Sequence, residues 1–210
     1  MYCGFKSATG SFDIMKLDES FYLRDNVVRI AKDLLGKVLL TTVGRKITAG
    51  IIVETEAYSY KEKGCHAYNS RMTERNKVMF KSGGHAYVYL CYGIHHLFNV
   101  VTNVEGKADA VLIRALQPTL GEEHILRRMN TNSMKKTTSG PGKLTKAMGI
   151  DRSLNGDYLL SDRVWIEDQG IKILKRTIVA SPRIGIDYAG EDAELPWRFT
   201  IKENEWVSRA

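Results

Sequence analysis

Cysteine is scarce in this 210-residue chain, with only Cys3, Cys65 and Cys91. An odd number without close spacing builds neither a disulfide framework nor a zinc cluster, and it points to a reducing compartment. Long apolar runs are missing too: none approaches the roughly 20 residues that cross a bilayer, so no membrane partner is expected. The start, MYCGFKSATGSFDIMKL, lacks the apolar segment of a secretory leader. Pro- or Ser-rich linkers are absent, and a single domain with a sizeable core is the expectation at this length. Acidic residues fall short of basic ones, 24 against 31, giving a net charge of +7 and a pI of about 9.2. The rest of the composition, 43% hydrophobic and 26% charged, excludes collagen, low complexity and wholesale disorder.

A basic balance suggests a polyanionic partner without selecting one. Arg127 to Lys146 holds six basic residues and no acidic one, and Lys61 to Lys81 holds six basic and two acidic residues interleaved with His66 and Tyr68. Both stretches also read as ordinary solvated loops.

Val27, Val28, Ala31, Leu34 and Leu35 recur at helical spacing, with Asp25 as N-cap and Gly36 as the stop. Lys37–Thr42 and Ile47–Tyr58 flank Val43-Gly44-Arg45-Lys46 as a hairpin. Strand-like runs return at Ala86–Tyr92, Leu97–Asn103, Ala110–Leu116, Val164–Glu167, Lys172–Ala180 and Arg198–Lys202. Helices are expected at Leu120–Met129 and Lys143–Met148. Strands outnumber helices without alternating with them, which favours a mainly antiparallel α+β fold over a doubly wound sheet.

In Val53-Glu54-Thr55-Glu56-Ala57-Tyr58, strand periodicity puts Glu54, Glu56 and Tyr58 on one face. Two acids and a phenol in an apolar strand are costly to bury without work to do; the alternative is a water-facing side with the acids paired to Lys or Arg. Tyr87 and Tyr89 also share a face, whereas Tyr92 sits opposite them, beside a turn-forming glycine. Asn99 and Arg114 are polar residues within apolar strands, a pattern met more often in satisfied structural groups than in site residues. Glu54, Glu56, Cys65 and His66 match no tetrahedral zinc spacing. Ser139-Gly140-Pro141-Gly142-Lys143 lacks the spacing of a nucleotide-triphosphate loop.

Taken together, LLGKVLL (34–40), IIVETEAY (51–58), His66, RNKVMF (75–80), YVYLCYG (87–93), FNV (98–100), AVLIRAL (110–116), SGPGKLTKAMGI (139–150) and PRIGIDYAGE (182–191) resemble the mammalian-type 3-methyladenine (alkyladenine) DNA glycosylase family. The resemblance runs in order from about residue 15 to about residue 207, and residues 1–14 read as an N-terminal extension outside a single 15–210 domain. The resemblance implies that Glu56 activates water and that Arg114 and the Ile184 backbone carbonyl hold that water. It makes Tyr58, His66 and Tyr89 the walls of a base pocket, Tyr92 the side chain that fills the gap left by an extruded nucleotide, and Asn99 a residue that disfavours guanine. It also implies a monofunctional, intracellular enzyme without metal or cofactor, approaching damaged purines in double-stranded DNA from the minor groove and leaving an abasic site. The expected architecture is a curved, mainly antiparallel sheet or open barrel, flanked by helices and carrying a protruding hairpin.

Physical chemistry runs the same way. A base inside a duplex must be flipped out before its sugar carbon can be attacked, at a few kcal/mol. A wedge at the base step offsets part of that cost. Alkylation at N3 or N7 makes a purine cationic, and stacking it on tyrosines adds about 0.5–2 kcal/mol. A carboxylate suits the oxocarbenium-like transition state of glycosidic cleavage. Arg71, Arg75, Lys77 and Lys143 would then neutralise flanking phosphates. Two other readings remain at this level: a non-catalytic nucleic-acid-binding module, and a metal-dependent nuclease built on Glu54, Glu56 and His66. No heptad or sticky helix is evident, so a monomer is expected.

Overall fold

Asn26 starts the main N-terminal helix by accepting the Arg29 N–H at 2.9 Å. The cap is Asn26 rather than Asp25, because the apolar stripe that must face the core begins at Val27 and sets the phase. That computed structural model describes residues 15–209; the extension expected at 1–14 lies outside the described residues. Two helices, α1 (Glu19–Tyr22) and α2 (Val27–Asp33), precede the sheet proper. Gly36, at φ +84°, ends the α2 segment in a left-handed conformation, where a Cβ would meet the Ile173 side chain at 2.6 Å.

The strands are β1 (Met15–Lys16), β2 (Val38–Val43), β3 (Lys46–Tyr58), β4 (Ala86–Cys91), β5 (His95–Thr102), β6 (Asp109–Leu120), β7 (Val164–Asp168), β8 (Ile178–Ser181) and β9 (Arg198–Ile201). Every pairing among these strands is antiparallel, in the order β1-β7-β2-β3-β6-β5-β4, with β9 on β3 and β8 on β9. The turn between β2 and β3 is shorter than expected, because Val43 pairs with Lys46 and only Gly44 and Arg45 remain outside the ladder. Lys172–Ala180 yields a strand only from Ile178, after a 3₁₀ turn over Lys175–Thr177.

The long strand β3 explains the curl. Lys46–Ile51 pair with β2, register shifts fall between Ile52 and Thr55, and Glu54–Glu56 then pair with β9. Such bulges bend a strand and increase its twist, so the sheet closes into a half-barrel, α+β in class. α2 fills one side, with Ile30, Ala31 and Leu34 packed in a core that includes Ile52, Ile113, Leu116, Leu144 and Phe199. α3 (Glu122–Met129) and α4 (Pro141–Met148) follow β6; both begin a residue or two away from the expected limits, α4 because Pro141 suits the first helical turn. A second apolar cluster, with Cys65, Met79, Phe80, Tyr87 and Val101, supports the half-buried rings of Tyr58, Tyr60 and Tyr89. The tip of the β4–β5 hairpin stands in solvent, with Tyr92 and Ile94 both exposed.

Candidate active site

Paired residues on neighbouring strands share a face, and one rung crosses four strands here. Glu56 on β3 opposes Leu112 on β6, Leu112 opposes Asn99 on β5, and Asn99 opposes Tyr87 on β4. With strands about 4.8 Å apart, the rung is about 14 Å long. Period-two neighbours add Glu54, Tyr58, Ala110, Arg114, Leu97 and Tyr89 to the same face. A cavity of about 670 Å³ lies over them, lined among others by Tyr58, His66, Tyr87, Tyr89, Asn99, Arg114 and Ile184. That size is typical of a small-molecule pocket.

Glu54 and Glu56 are both fully buried, so the water-facing reading of this strand is overturned. The two acids differ in their partners. Glu54 Oε1 accepts from Arg114 Nε at 2.9 Å, Arg198 Nε at 2.7 Å and Ser208 Oγ at 2.9 Å, while Oε2 accepts the Ser208 N–H at 2.7 Å. It is saturated. Glu56 Oε2 accepts from the Tyr58 hydroxyl at 2.8 Å and from Arg114 Nη1 at 3.3 Å, and Oε1 accepts the Ile184 N–H at 2.8 Å. A carboxylate offers about four acceptor positions, so one remains, on Oε1. Glu56 sits one hydrogen bond behind the cavity, and Tyr58, Arg114 and Ile184, its three partners, form the wall in front of it. The structure therefore brings the Ile184 backbone to Glu56 through its N–H.

Burial pulls the Arg114 pKa down, but Glu56 and Glu54 outweigh it and hold the guanidinium above its ordinary value. Burial, then the charge of Glu56, pushes the Tyr58 phenol well up, so it stays a donor. The His66 ring contacts Tyr89 edge-on at 4.7 Å, and its Nδ1 lies 3.0 Å from the Tyr87 hydroxyl. The residue keeps exposed surface, and desolvation by this packing, with Arg75 nearby, pushes His66 down to about 4. The imidazole is neutral at pH 7. Tyr87 and Tyr89 stack at 5.3 Å. Guanidiniums lie against both aromatic walls, Arg183 over Tyr58 at 4.7 Å and Arg75 over Tyr89 at 5.1 Å. The Asn99 amide donates to the Tyr87 carbonyl at 3.1 Å, which fixes its orientation under the cavity.

Tyr92 stands at the hairpin tip, 89% exposed, on the cavity margin. It adopts φ +50° and Gly93 φ +73°, a mirror-image turn closed by the Ile94 N–H on the Cys91 carbonyl at 3.1 Å. Of the basic residues singled out above, Arg75 and Lys143 line the cavity, Arg71 is exposed, and Lys77 is paired with Glu74 at 2.8 Å. Among the described residues no group of three or more His, Cys, Asp or Glu side chains is placed to hold a metal ion, and no helix is long and apolar enough to cross a membrane.

Sequence reading gave Tyr87 no role beyond sharing a face with Tyr89, yet its hydroxyl orients His66. It also passed over Tyr188, which lines the cavity and donates to the Gly64 carbonyl at 3.2 Å, and Arg183, which is fully buried against Glu62. The i, i+2 spacing from Tyr89 was a usable signal for Tyr87; nothing local marks Arg183.

Residues 20–205 match the family model described as methylpurine-DNA glycosylase (MPG). A Chlamydia felis protein provisionally named 3-methyladenine DNA glycosylase is 47% identical over 188 residues, covering 88% of this chain and 95% of the relative. Proteins of the same provisional name from Natranaerobius thermophilus and Methanocella arvoryzae are 45% and 48% identical over 197 residues, covering 92% of this chain and 99% and 96% of the relatives.

Proposed function

This chain belongs to the methylpurine-DNA glycosylase family, hydrolases that remove alkylated bases from DNA, and from that membership we propose that Glu56 is the base that activates the attacking water. The observation that carries this reading is the Glu56 environment: three donors fix the carboxylate against an aromatic cavity and leave one acceptor position on Oε1. An acid whose contacts are all donors is arranged for its ionised form. A water on that free position, held also by Arg114 and the Ile184 carbonyl, attacks the sugar carbon while the carboxylate offsets the positive charge that grows there. The purine leaves, and an abasic site remains. No amine is involved, so no strand cleavage accompanies base release.

The flipped base stacks between Tyr58, His66 and Tyr89 in this reading. A neutral His66 suits it, because a cationic ring would repel an alkylated purine. Asn99, fixed on the floor, crowds the exocyclic amine of guanine. Tyr92 enters from the minor groove and occupies the vacated stack, and Arg75 and Lys143 hold flanking phosphates, with Arg71 and Lys77 further out. The protein acts inside the cell, as a monomer, on double-stranded DNA carrying damaged purines, and 3-methyladenine heads the substrates by the relatives' name.

The nuclease reading needs a free carboxylate pair, and the oxygens of Glu54 are taken by Arg114, Arg198 and Ser208. A pure binding module has no use for the buried Glu56 beside phosphates. In methylated duplex DNA with EDTA present, the parent is expected to release free purine rather than oligonucleotide. Glu56→Gln is expected to lower that rate by at least about 10²-fold while lesion binding persists. Equal rates for the two proteins would remove Glu56 from the mechanism.

A further inference from the structure

Three segments frame Glu56: the end of β3 and the stretch carrying Ile184, which both reach its carboxylate, and the loop carrying His66, which follows β3 directly. One guanidinium joins them. Arg183 Nη1 donates to Glu62 Oε1 at 2.6 Å and to the Ala57 carbonyl at 2.9 Å, and Nη2 donates to Glu62 Oε2 at 2.8 Å and to the Asp192 carbonyl at 3.0 Å. Its plane also lies over the rings of Tyr58 and Trp197. The side chain is fully buried. Ala57 and Tyr58 follow Glu56 directly, and Ile184, whose N–H reaches Glu56, is the next residue after Arg183. Glu62 also accepts the Gly64 N–H at 2.7 Å, and the Gly64 carbonyl accepts the Tyr188 hydroxyl, so the His66 loop is tied at two further points.

We propose that Arg183, clamped by Glu62, is a positioning residue for base release: it fixes Ile184 and Tyr58 against the Glu56 carboxylate, and with them the place where water is held. This rests on the role proposed above for Glu56. The guanidinium does not touch the base or the water. Its effect is geometric, and catalytic geometry is steep, with a displacement of about 1 Å costing about 10²-fold in rate. Lysine cannot replace it, because a single ammonium cannot span a bidentate carboxylate and two carbonyls at once.

The test uses the full chain, with parent, Arg183→Lys, Glu62→Gln, the double variant and Glu56→Gln side by side, at a temperature where circular dichroism shows each folded. Single-turnover release of methylated purine and affinity for lesion-containing duplex are both measured. Arg183→Lys and Glu62→Gln are each expected to slow release by about 10- to 100-fold while affinity moves less than about threefold. The double variant should be no slower than the worse single one, since the pair acts as a unit. Rates within about twofold of an active parent overturn the clamp, as do rate and affinity falling by the same factor, the mark of a general folding role. A parent that releases no base, or one matched by Glu56→Gln, overturns the assignment of Glu56 and the clamp with it.

Discussion

Replacing Tyr92 by asparagine should make the protein more stable and less active. Tyr92 holds φ +50° at the hairpin tip, a conformation that costs an ordinary L-residue about 1–2 kcal/mol and asparagine less. The ring is 89% exposed, so its loss forfeits little packing. The net gain should be about 1 kcal/mol, which for a domain of this size raises Tm by about 2–4 °C. The same substitution removes the side chain proposed to fill the vacated base stack, so single-turnover release of methylated purine should slow by at least about tenfold. Tyr92→Phe, which keeps both the ring and the backbone cost, should match the parent in each measurement. Calorimetric melting checks the first half and base release the second. A lower Tm for Tyr92→Asn would show that the turn is not strained or that the ring packs. A higher Tm with undiminished release would refute the wedge.

Glu54→Gln should destabilise the fold by about 3 kcal/mol, because Arg114 and Arg198 lose a shared buried partner; a urea midpoint within error of the parent would contradict it. His66 ionises near 6.5 when unfolded and about 4 when folded, so the folded state binds fewer protons between those values. Its contribution to stability is therefore complete above pH 6.5 and declines as the pH falls toward 4. His66→Phe should flatten the stability profile in that window, and an unchanged slope would count against it. In DNA-binding titrations against salt, Arg75→Ala and Lys143→Ala should each reduce the slope by about 1. Lys77→Ala should reduce it less, since Lys77 already holds Glu74; equal effects at all three would break the link between cavity-side charge and phosphate contact.

The parts of this molecule that were legible from sequence are those set by local periodicity. Alternation in β3 put Glu54, Glu56 and Tyr58 on one face, and the stop at Gly36 follows from glycine's access to positive φ. The choice between Asp25 and Asn26 as cap was not legible, because both side chains can accept the N–H and the core decides the phase. The run Lys172–Ala180 alternates well enough for a strand, yet among the described residues its first half joins no strand ladder and turns instead. At the site, periodicity could propose that two acids matter and the family resemblance singled out Glu56, but nothing in the chain showed that Glu54 is spent on structure. That depends on Ser208 and Arg198 arriving from 154 and 144 residues away. Arg183 was invisible for the same reason, since Glu62 lies 121 residues from it.

The rung that carries Glu56, Leu112, Asn99 and Tyr87 has a consequence for partly folded forms of the chain. A slip of a single residue between any two of those strands would turn half of the set to the opposite side of the sheet, exchanging buried carboxylate and amide for hydrocarbon. No intermediate alignment offers a fraction of the chemistry. On heating, activity should therefore persist undiminished until the whole sheet gives way, and chains trapped out of alignment should be inert rather than promiscuous, which is a safe failure for a catalyst that cuts bases from DNA.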